Sequence, residues 1–322
     1  MTLKHILLIQ FSALTEAQKA AIQDAAVQHG FEAIFADDED TALLYAAEAE
    51  IIFSPNPLLP KAAPHLRWLC ATTAGVNPFL LPDAFANPDA ILSNSSGAYG
   101  VTLAEHILML TLEMLRRQPE YTQIVNQRQW KRGLPIRSIQ GSRITLLGTG
   151  NVGQETAVRL KGFAPDCLIG INRSGKNPNG LFDRVLCMDA FNSVLPTTDI
   201  LISSLPGTND TYHILNAERL AMLPDGALVV NVGRGTIIDE AALEAELRAE
   251  RLKAALDVFE HEPLPQDSTL WDCPNLLITP HAAGLTSLPY TVQRIAELFL
   301  EDFERYCTAR PLLRKVDRQK GY

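Results

Sequence analysis

The run Gly148-Thr149-Gly150-Asn151-Val152-Gly153 constrains this chain more than any other stretch. It follows an apolar segment, Ile144 to Leu147, and opens a helical pattern near Val152. Strand, glycine turn and helix in that order form the first unit of a dinucleotide-binding sheet. Gly148 permits the tight turn, Gly150 lets backbone approach a pyrophosphate, and Gly153 lets helix and strand pack closely. Asn151 and Val152 complete the loop, and the helix N-terminus turns free N–H groups toward the anion. The motif begins well inside a chain of 322 residues, a length that suits two compact units. A separate unit is therefore expected to precede it.

Short apolar runs alternate with longer helical patterns almost throughout, which is the mark of an α/β chain with parallel sheets. In the first third, strands are predicted at His5–Gln10, Ile51–Ser54, Trp68–Ala71 and Ile91–Asn94. A helix over Thr102–Arg117, with Leu103, Ile107, Leu110 and Met114 at helical spacing, bridges to the second series. A polar stretch, Gln118–Gln140, follows it. Six strands are then predicted, at Ile144–Leu147, Leu168–Asn172, Ile200–Ser204, Leu228–Val232, Ala254–Val258 and Leu276–Thr279. The last helix, Pro289–Tyr306, is assigned back to the first unit because six strands already complete the second sheet. The expected division is 1–98 plus 285–322 for a substrate unit and 99–284 for a dinucleotide unit.

Composition narrows the functional classes. With 47% hydrophobic and 20% charged residues the chain can bury sizeable cores. A formal net charge of −9 offers no broad cationic face, which argues against a nucleic-acid partner. The apolar run Met1–Ile9 is short and lacks a small-residue cleavage site, so it reads as a strand and not as a signal. No apolar stretch approaches the roughly 20 residues that cross a bilayer, so no membrane association is expected. The five cysteines are scattered and never spaced CxxC, which indicates neither a disulfide framework nor a metal site. A reducing cytoplasm suits them.

The residue that would hold the ribose 2′-OH of NAD belongs at the tip of the strand after the glycine loop. Here that tip reads Ile171-Asn172-Arg173-Ser174-Gly175-Lys176, without a carboxylate. Arg173 and Ser174 offer a guanidinium fork and a hydroxyl to a 2′-phosphate, and Lys176 offers a further charge. NADP(H) is the expected cofactor and NAD(H) the alternative.

Arg234, Glu262 and His281 each follow a predicted strand, where ligands bind in open α/β sheets. They lie in Val232-Gly233-Arg234-Gly235, Glu260-His261-Glu262-Pro263 and Thr279-Pro280-His281-Ala282. A 2-keto acid needs a cation to hold its carboxylate, which a guanidinium does with fixed direction. It also needs a proton donor at the carbonyl oxygen, and histidine changes charge near neutral pH. A carboxylate on the other ring nitrogen favours the imidazolium. Each residue alone is commonly structural; behind a dinucleotide loop the three make a site.

The glycine loop, the Arg-Gly, the Glu-Pro and the Pro-His occur in the order found in D-isomer-specific 2-hydroxyacid dehydrogenases. The chain resembles that family over nearly its whole length. Within it the chain is most similar to bacterial glyoxylate/hydroxypyruvate reductases, including the tail Val316-Asp317-Arg318-Gln319-Lys320-Gly321-Tyr322. The resemblance implies two Rossmann-like domains, a doubly wound nucleotide-binding sheet inserted into a smaller flavodoxin-like substrate domain. It implies that Arg234 binds the substrate carboxylate, that His281 is the acid/base and that Glu262 orients it. It further implies substrate contacts from Ala74, Gly75 and Val76. Leu205 and Pro206 would lie near the adenosine, Val232, Gly233 and Asp257 near the nicotinamide, and Gly284 beside the cofactor. A homodimer through Thr102–Arg132 is the implied assembly.

Other readings are an NAD-dependent member acting on D-lactate or 3-phosphoglycerate, a dinucleotide sensor without turnover, and a structural protein. The first region is poor in the basic residues a phosphorylated substrate needs, and the complete Arg234, Glu262 and His281 set argues against the other two. The remaining histidines, His5, His29, His65, His106, His213 and His261, lack ligand spacing and are expected to be surface or structural.

Overall fold

The computed structural model describes residues 5–177 and 179–321. Met1–Lys4 of the leading apolar run and Tyr322 of the tail lie outside the described residues. The chain separates into two units, Met1–Tyr99 with Leu285–Tyr322, and Gly100–Gly284.

The first unit comprises β1 (His5–Ile9), α1 (Glu16–Gln28), β2 (Phe31–Phe35), α2 (Glu39–Ala46), β3 (Ala49–Phe53), β4 (Trp68–Cys70), β5 (Ile91–Ser93) and the last helix of the chain, α9 (Pro289–Cys307). Its sheet runs β2-β1-β3-β4-β5 with every pair parallel, the flavodoxin-like order. Alternate side chains feed two layers. Ile52, Leu69 and Leu92 pack with Ala42 and Ala46 of α2. On α9, Phe299 stacks on Phe53 at 4.2 Å between ring centroids and on Trp68 at 5.6 Å. The Trp68 indole N–H donates to Ser93 Oγ at 2.8 Å, which satisfies its polar end inside this core. Strand β2 was not expected. It is a five-residue edge strand, FEAIF, in which Glu32 is exposed and Ala33, Ile34 and Phe35 are only partly buried.

The second unit comprises α3 (Gly100–Leu115), α4 (Gln118–Asn126), β6 (Arg143–Leu147), α5 (Asn151–Lys161), β7 (Cys167–Asn172), β8 (Arg184–Cys187), α6 (Phe191–Val194), β9 (Ile200–Ser203), α7 (Ala217–Met222), β10 (Leu228–Asn231), α8 (Glu240–Arg248), β11 (Lys253–Leu256) and β12 (Leu276–Ile278). The sheet order is β12-β11-β10-β9-β6-β7-β8, all parallel, a doubly wound sheet that reverses direction between β6 and β9. It has seven strands where six were expected. The extra one, β8, is a four-residue edge strand, RVLC, with no fully buried residue. The polar stretch after α3 likewise contains α4, none of whose residues is buried.

Both faces of this sheet are covered, which is why its strands read as continuous apolar runs. Ile144, Leu146, Ile202 and Val230 pack with Ile107 and Leu110 of α3 and Ala157 and Leu160 of α5. Leu147, Leu201, Val229 and Leu256 face the other way, onto Phe191, Leu220, Leu243 and Leu247. Among the described residues no helix is long and apolar enough to cross a membrane.

Candidate active site

The glycine loop leaves β6 at the point where the sheet reverses. Gly148 has φ +97, which a side chain disfavours. A Cβ on Gly153 would lie 2.1 Å from Gly148 O, so helix α5 can sit on the turn only without one. A Cβ on Gly150 meets nothing within 4 Å, and Gly150 caps α5 without a side-chain hydrogen bond. Uncapped first-turn N–H groups beside open space are what a pyrophosphate requires. The loop therefore fits a dinucleotide. The Asn151 side chain packs against Gly100, where an added Cβ would lie 2.3 Å from its Oδ1. What Asn151 offers an anion is its place in the first turn of α5.

At the tip of β7, Asn172 organises the neighbouring loop. Its Oδ1 accepts from the N–H of Ser174 at 3.0 Å and of Gly175 at 2.6 Å. Its Nδ2 donates to Thr149 Oγ1 in the glycine loop at 2.7 Å and to Lys176 O at 3.1 Å. This turn leaves Arg173, Ser174 and Lys176 exposed beside the glycine loop, with no carboxylate at the strand tip.

Leu205 and Val232 bury their side chains in the two cores. Pro206 is exposed, and its carbonyl accepts from Thr211 Oγ1 at 2.7 Å. Gly233 passes close to the main chain of Leu205, where a Cβ would lie 2.5 Å from the carbonyl oxygen.

Arg234 follows β10 by three residues and is largely enclosed. Its Nη1 donates to Gly233 O at 2.6 Å, and its carbonyl accepts from Asn231 Nδ2 at 2.9 Å. Burial pushes the guanidinium below its usual pKa, and nearby Glu262 acts in the opposite direction. A largely enclosed cation is of the type that can hold an anionic ligand.

His281 and Glu262 meet as the sequence proposes: His281 Nδ1 lies 2.6 Å from Glu262 Oε2. Glu262 Oε1 accepts from the N–H of Phe259 at 2.9 Å, which fixes the carboxylate. The pair leaves Nε2 as the ring nitrogen offered to a ligand, with the imidazole half exposed. His281 has φ +51, an unusual conformation for a residue with a Cβ. Its N–H donates to Asp257 O at 2.8 Å. Gly284 ends this turn and is partly buried.

Three further groups support the site in ways the sequence did not show. Asp257, expected only as a cofactor contact, is 1% exposed, and its carboxylate accepts from the N–H of Ala282 at 2.8 Å and of Ala283 at 3.0 Å. His213 Nε2 lies 2.5 Å from Glu260 Oε1, and Glu260 N donates to Glu240 Oε1 at 2.7 Å. This clamps the loop that carries Glu262. Burial, together with the charges of Glu260 and Glu262, raises the Glu240 pKa, while its hydrogen bond from Glu260 lowers it. The third is His106, whose Nε2 lies 3.0 Å from Thr279 Oγ1 across 173 positions of sequence. Separation on that scale leaves no spacing to read.

In the first unit, the Ala74–Gly75–Val76 turn follows β4. Asn94 Nδ2 donates to Ala74 O at 2.8 Å, Thr73 Oγ1 donates to Gly75 O at 2.7 Å, and Val76 is buried in the core.

A dinucleotide loop at the switch point, with an arginine and a hydrogen-bonded His–Glu pair beyond the ends of the same sheet, defines a hydride-transferring dehydrogenase. The profile of the family described as "D-isomer specific 2-hydroxyacid dehydrogenase, NAD binding domain" matches residues 108–283. The glyoxylate/hydroxypyruvate reductase A of Salmonella newport (strain SL254) is 32% identical over 285 residues, covering 86% of this chain and 88% of that one. A crystal structure of a D-isomer specific 2-hydroxyacid dehydrogenase family protein from Aeromonas salmonicida subsp. salmonicida A449 is similar with a TM-score of 0.86 and 33% identity, covering 98% and 99% of the two chains. The NADPH-dependent glyoxylate/hydroxypyruvate reductase of Sinorhizobium meliloti, solved with NADP and sulfate, has a TM-score of 0.81 and 27% identity over 99% and 100%. This chain belongs to the D-isomer specific 2-hydroxyacid dehydrogenase family. It is an NAD(P)-dependent oxidoreductase that acts on CH–OH donors.

Proposed function

We propose that the protein reduces a small 2-keto acid of the glyoxylate or hydroxypyruvate type to the D-2-hydroxy acid, with NADPH preferred over NADH. The observation that carries this is the His281–Glu262 pair, 2.6 Å apart through Nδ1, which leaves Nε2 as the ring nitrogen to meet a substrate. Arg234 binds the substrate carboxylate and polarises the keto oxygen. Bound NADPH supplies the hydride that becomes the new C–H bond at C2. As the C=O double bond opens, its oxygen takes the proton from His281 Nε2. Glu262 accepts the hydrogen bond of Nδ1–H, which sets the ring orientation and leaves Nε2 as the nitrogen that gives up this proton.

The NADPH preference is supported by the neutral Asn172 and the exposed Arg173, Ser174 and Lys176, and by the NADP bound to the Sinorhizobium relative. Gly148, Gly150, Val152 and Gly153 are assigned to the pyrophosphate. Leu205 and Pro206 are assigned to the adenosine side. Val232, Gly233, Asp257 and Gly284 are assigned to the nicotinamide side. In the first unit, the carbonyls of Ala74 and Gly75 already accept hydrogen bonds, so N–H groups are what this turn is proposed to offer a carboxylate. We further propose a cytoplasmic homodimer that meets through Thr102–Arg132, where Trp130 is 92% exposed. A monomer in light scattering at working concentration would remove that assignment.

The experiment is a panel of 2-keto acids offered with NADPH and separately NADH, with chiral analysis of the glycerate formed from hydroxypyruvate. The proposal expects turnover of small keto acids, a higher kcat/KM with NADPH, and D-glycerate. L-glycerate, or a preference for NADH, would contradict it.

A further inference from the structure

The histidine on α3 has been given no part in the reaction, yet it is tied to the turn that carries His281. We infer that His106 is a positioning residue for His281, acting through Thr279 and Asp257. The inference rests on His281 being the proton donor.

A left-handed backbone at His281 is held only when its surroundings over-determine it. Asp257 does this by gripping both sides of the residue. Its Oδ1 accepts from Thr279 Oγ1 at 2.6 Å and from Ala282 N at 2.8 Å. Its Oδ2 accepts from Ala283 N at 3.0 Å, and its own carbonyl accepts from His281 N at 2.8 Å. A threonine hydroxyl has one proton to donate. With that proton on Asp257, the 3.0 Å contact from His106 requires Nε2–H of His106 to be the donor. The same nitrogen lies 3.5 Å from Asp257 Oδ1, so it also supports the buried charge.

The order of bonds is thus His106 to Thr279 to Asp257 to the N–H groups that flank His281. His106 is itself mostly buried, with a side chain 14% exposed. Without its donor, the Thr279 hydroxyl loses the partner that fixes its rotation, and Asp257 shares its grip differently between residues 279 and 282. The His281 ring then spends less time aligned with Glu262 and with the substrate oxygen. Binding of NADPH has no reason to change.

Glutamine and asparagine separate this role from mere filling of space. The glutamine amide nitrogen reaches the position of Nε2, and the asparagine amide nitrogen reaches only that of Nδ1. H106Q, H106N, T279V and the double variant H106N/T279V are compared with wild type, all full-length, using hydroxypyruvate and NADPH. The expectation is a kcat lowered roughly tenfold or more in H106N, since small misplacements of reacting groups carry large rate costs. KM for NADPH stays unchanged, and H106Q recovers most of the rate. H106N/T279V should be no slower than the slower single variant, because both break one chain. Equal rates in H106N and H106Q, or losses that multiply in the double variant, overturn the inference. If His281→Ala itself retains wild-type turnover, the underlying assignment fails instead, and the two failures are told apart by that variant.

Discussion

Replacing Gly235 by alanine tests the packing that places Arg234 against the loop of Glu262. A Cβ on Gly235 would stand 1.8 Å from the carbonyl carbon of Phe259, 2.0 Å from its oxygen and 2.3 Å from Glu260 N. All three atoms are backbone and none can rotate away. Carbon atoms touch at about 3.5–4.0 Å, so the two segments must part by about 1.7 Å or more. One segment carries Arg234, and the other leads directly into Glu262, whose carboxylate is held by Phe259 N and in turn holds His281. A misplacement of about 1 Å costs on the order of 10²-fold in rate. G235A should therefore lower kcat by about 10²-fold or more. Overpacking costs about 1–3 kcal/mol where side chains can adjust and more where, as at Gly235, only backbone can give way, so the fold of G235A is checked by circular dichroism and Tm before kcat is compared. NADPH affinity, read by fluorescence titration, should be preserved. G150A is the matched control, because its Cβ meets nothing within 4 Å. It should leave the Tm of the unliganded protein unchanged while weakening NADPH binding. A G235A protein with wild-type kcat and wild-type Tm would refute the claim that this close approach positions the site.

Arg173→Ala should reduce the NADPH-to-NADH ratio of kcat/KM about tenfold, the lower range for a charge-assisted hydrogen bond at an exposed site; an unchanged ratio removes Arg173 from cofactor choice. Phe299→Ala should destabilise the first unit by about 3–5 kcal/mol in urea unfolding, because it deletes the ring stacked between Phe53 and Trp68. A loss below about 1 kcal/mol would mean the α9 core repacks freely. Burial pushes the Cys70 thiol from its ordinary 9.0 up to about 12. The unfolded thiol ionises first, so stability is intact below pH 9 and falls between pH 9 and 12. Cys70→Ala should show a shallower loss of unfolding free energy over that window, and an identical slope would contradict the assignment.

Much of this architecture was legible because both sheets are parallel and covered on both faces. Their central strands, such as Ile200–Ser203 and Leu228–Asn231, are wholly buried and announce themselves as apolar runs. The edge strands Phe31–Phe35 and Arg184–Cys187, FEAIF and RVLC, were missed although mostly apolar, because a run of four or five residues cannot be told from a helix or loop segment by periodicity alone. The site divides in the same way. Gly148, Arg234, Glu262 and His281 lie in short motifs whose residue types state their chemistry. His106, His213 and Glu240 act on those motifs from other elements, and each looks like an ordinary helix or loop residue until the chain has folded. Asp257 entered only through the family resemblance, as a cofactor contact, and its hold on Ala282 and Ala283 depends on how the His281 turn folds back over the strand.

The most direct test of the central claim is a single-turnover measurement: protein loaded with NADPH, mixed rapidly with hydroxypyruvate, and the loss of NADPH absorbance followed in wild type and His281→Ala. Wild type should oxidise its bound NADPH in one fast phase. His281→Ala should bind NADPH equally well yet react about 10²–10⁴-fold more slowly, the range of general acid catalysis. Equal rates in the two proteins would contradict the account.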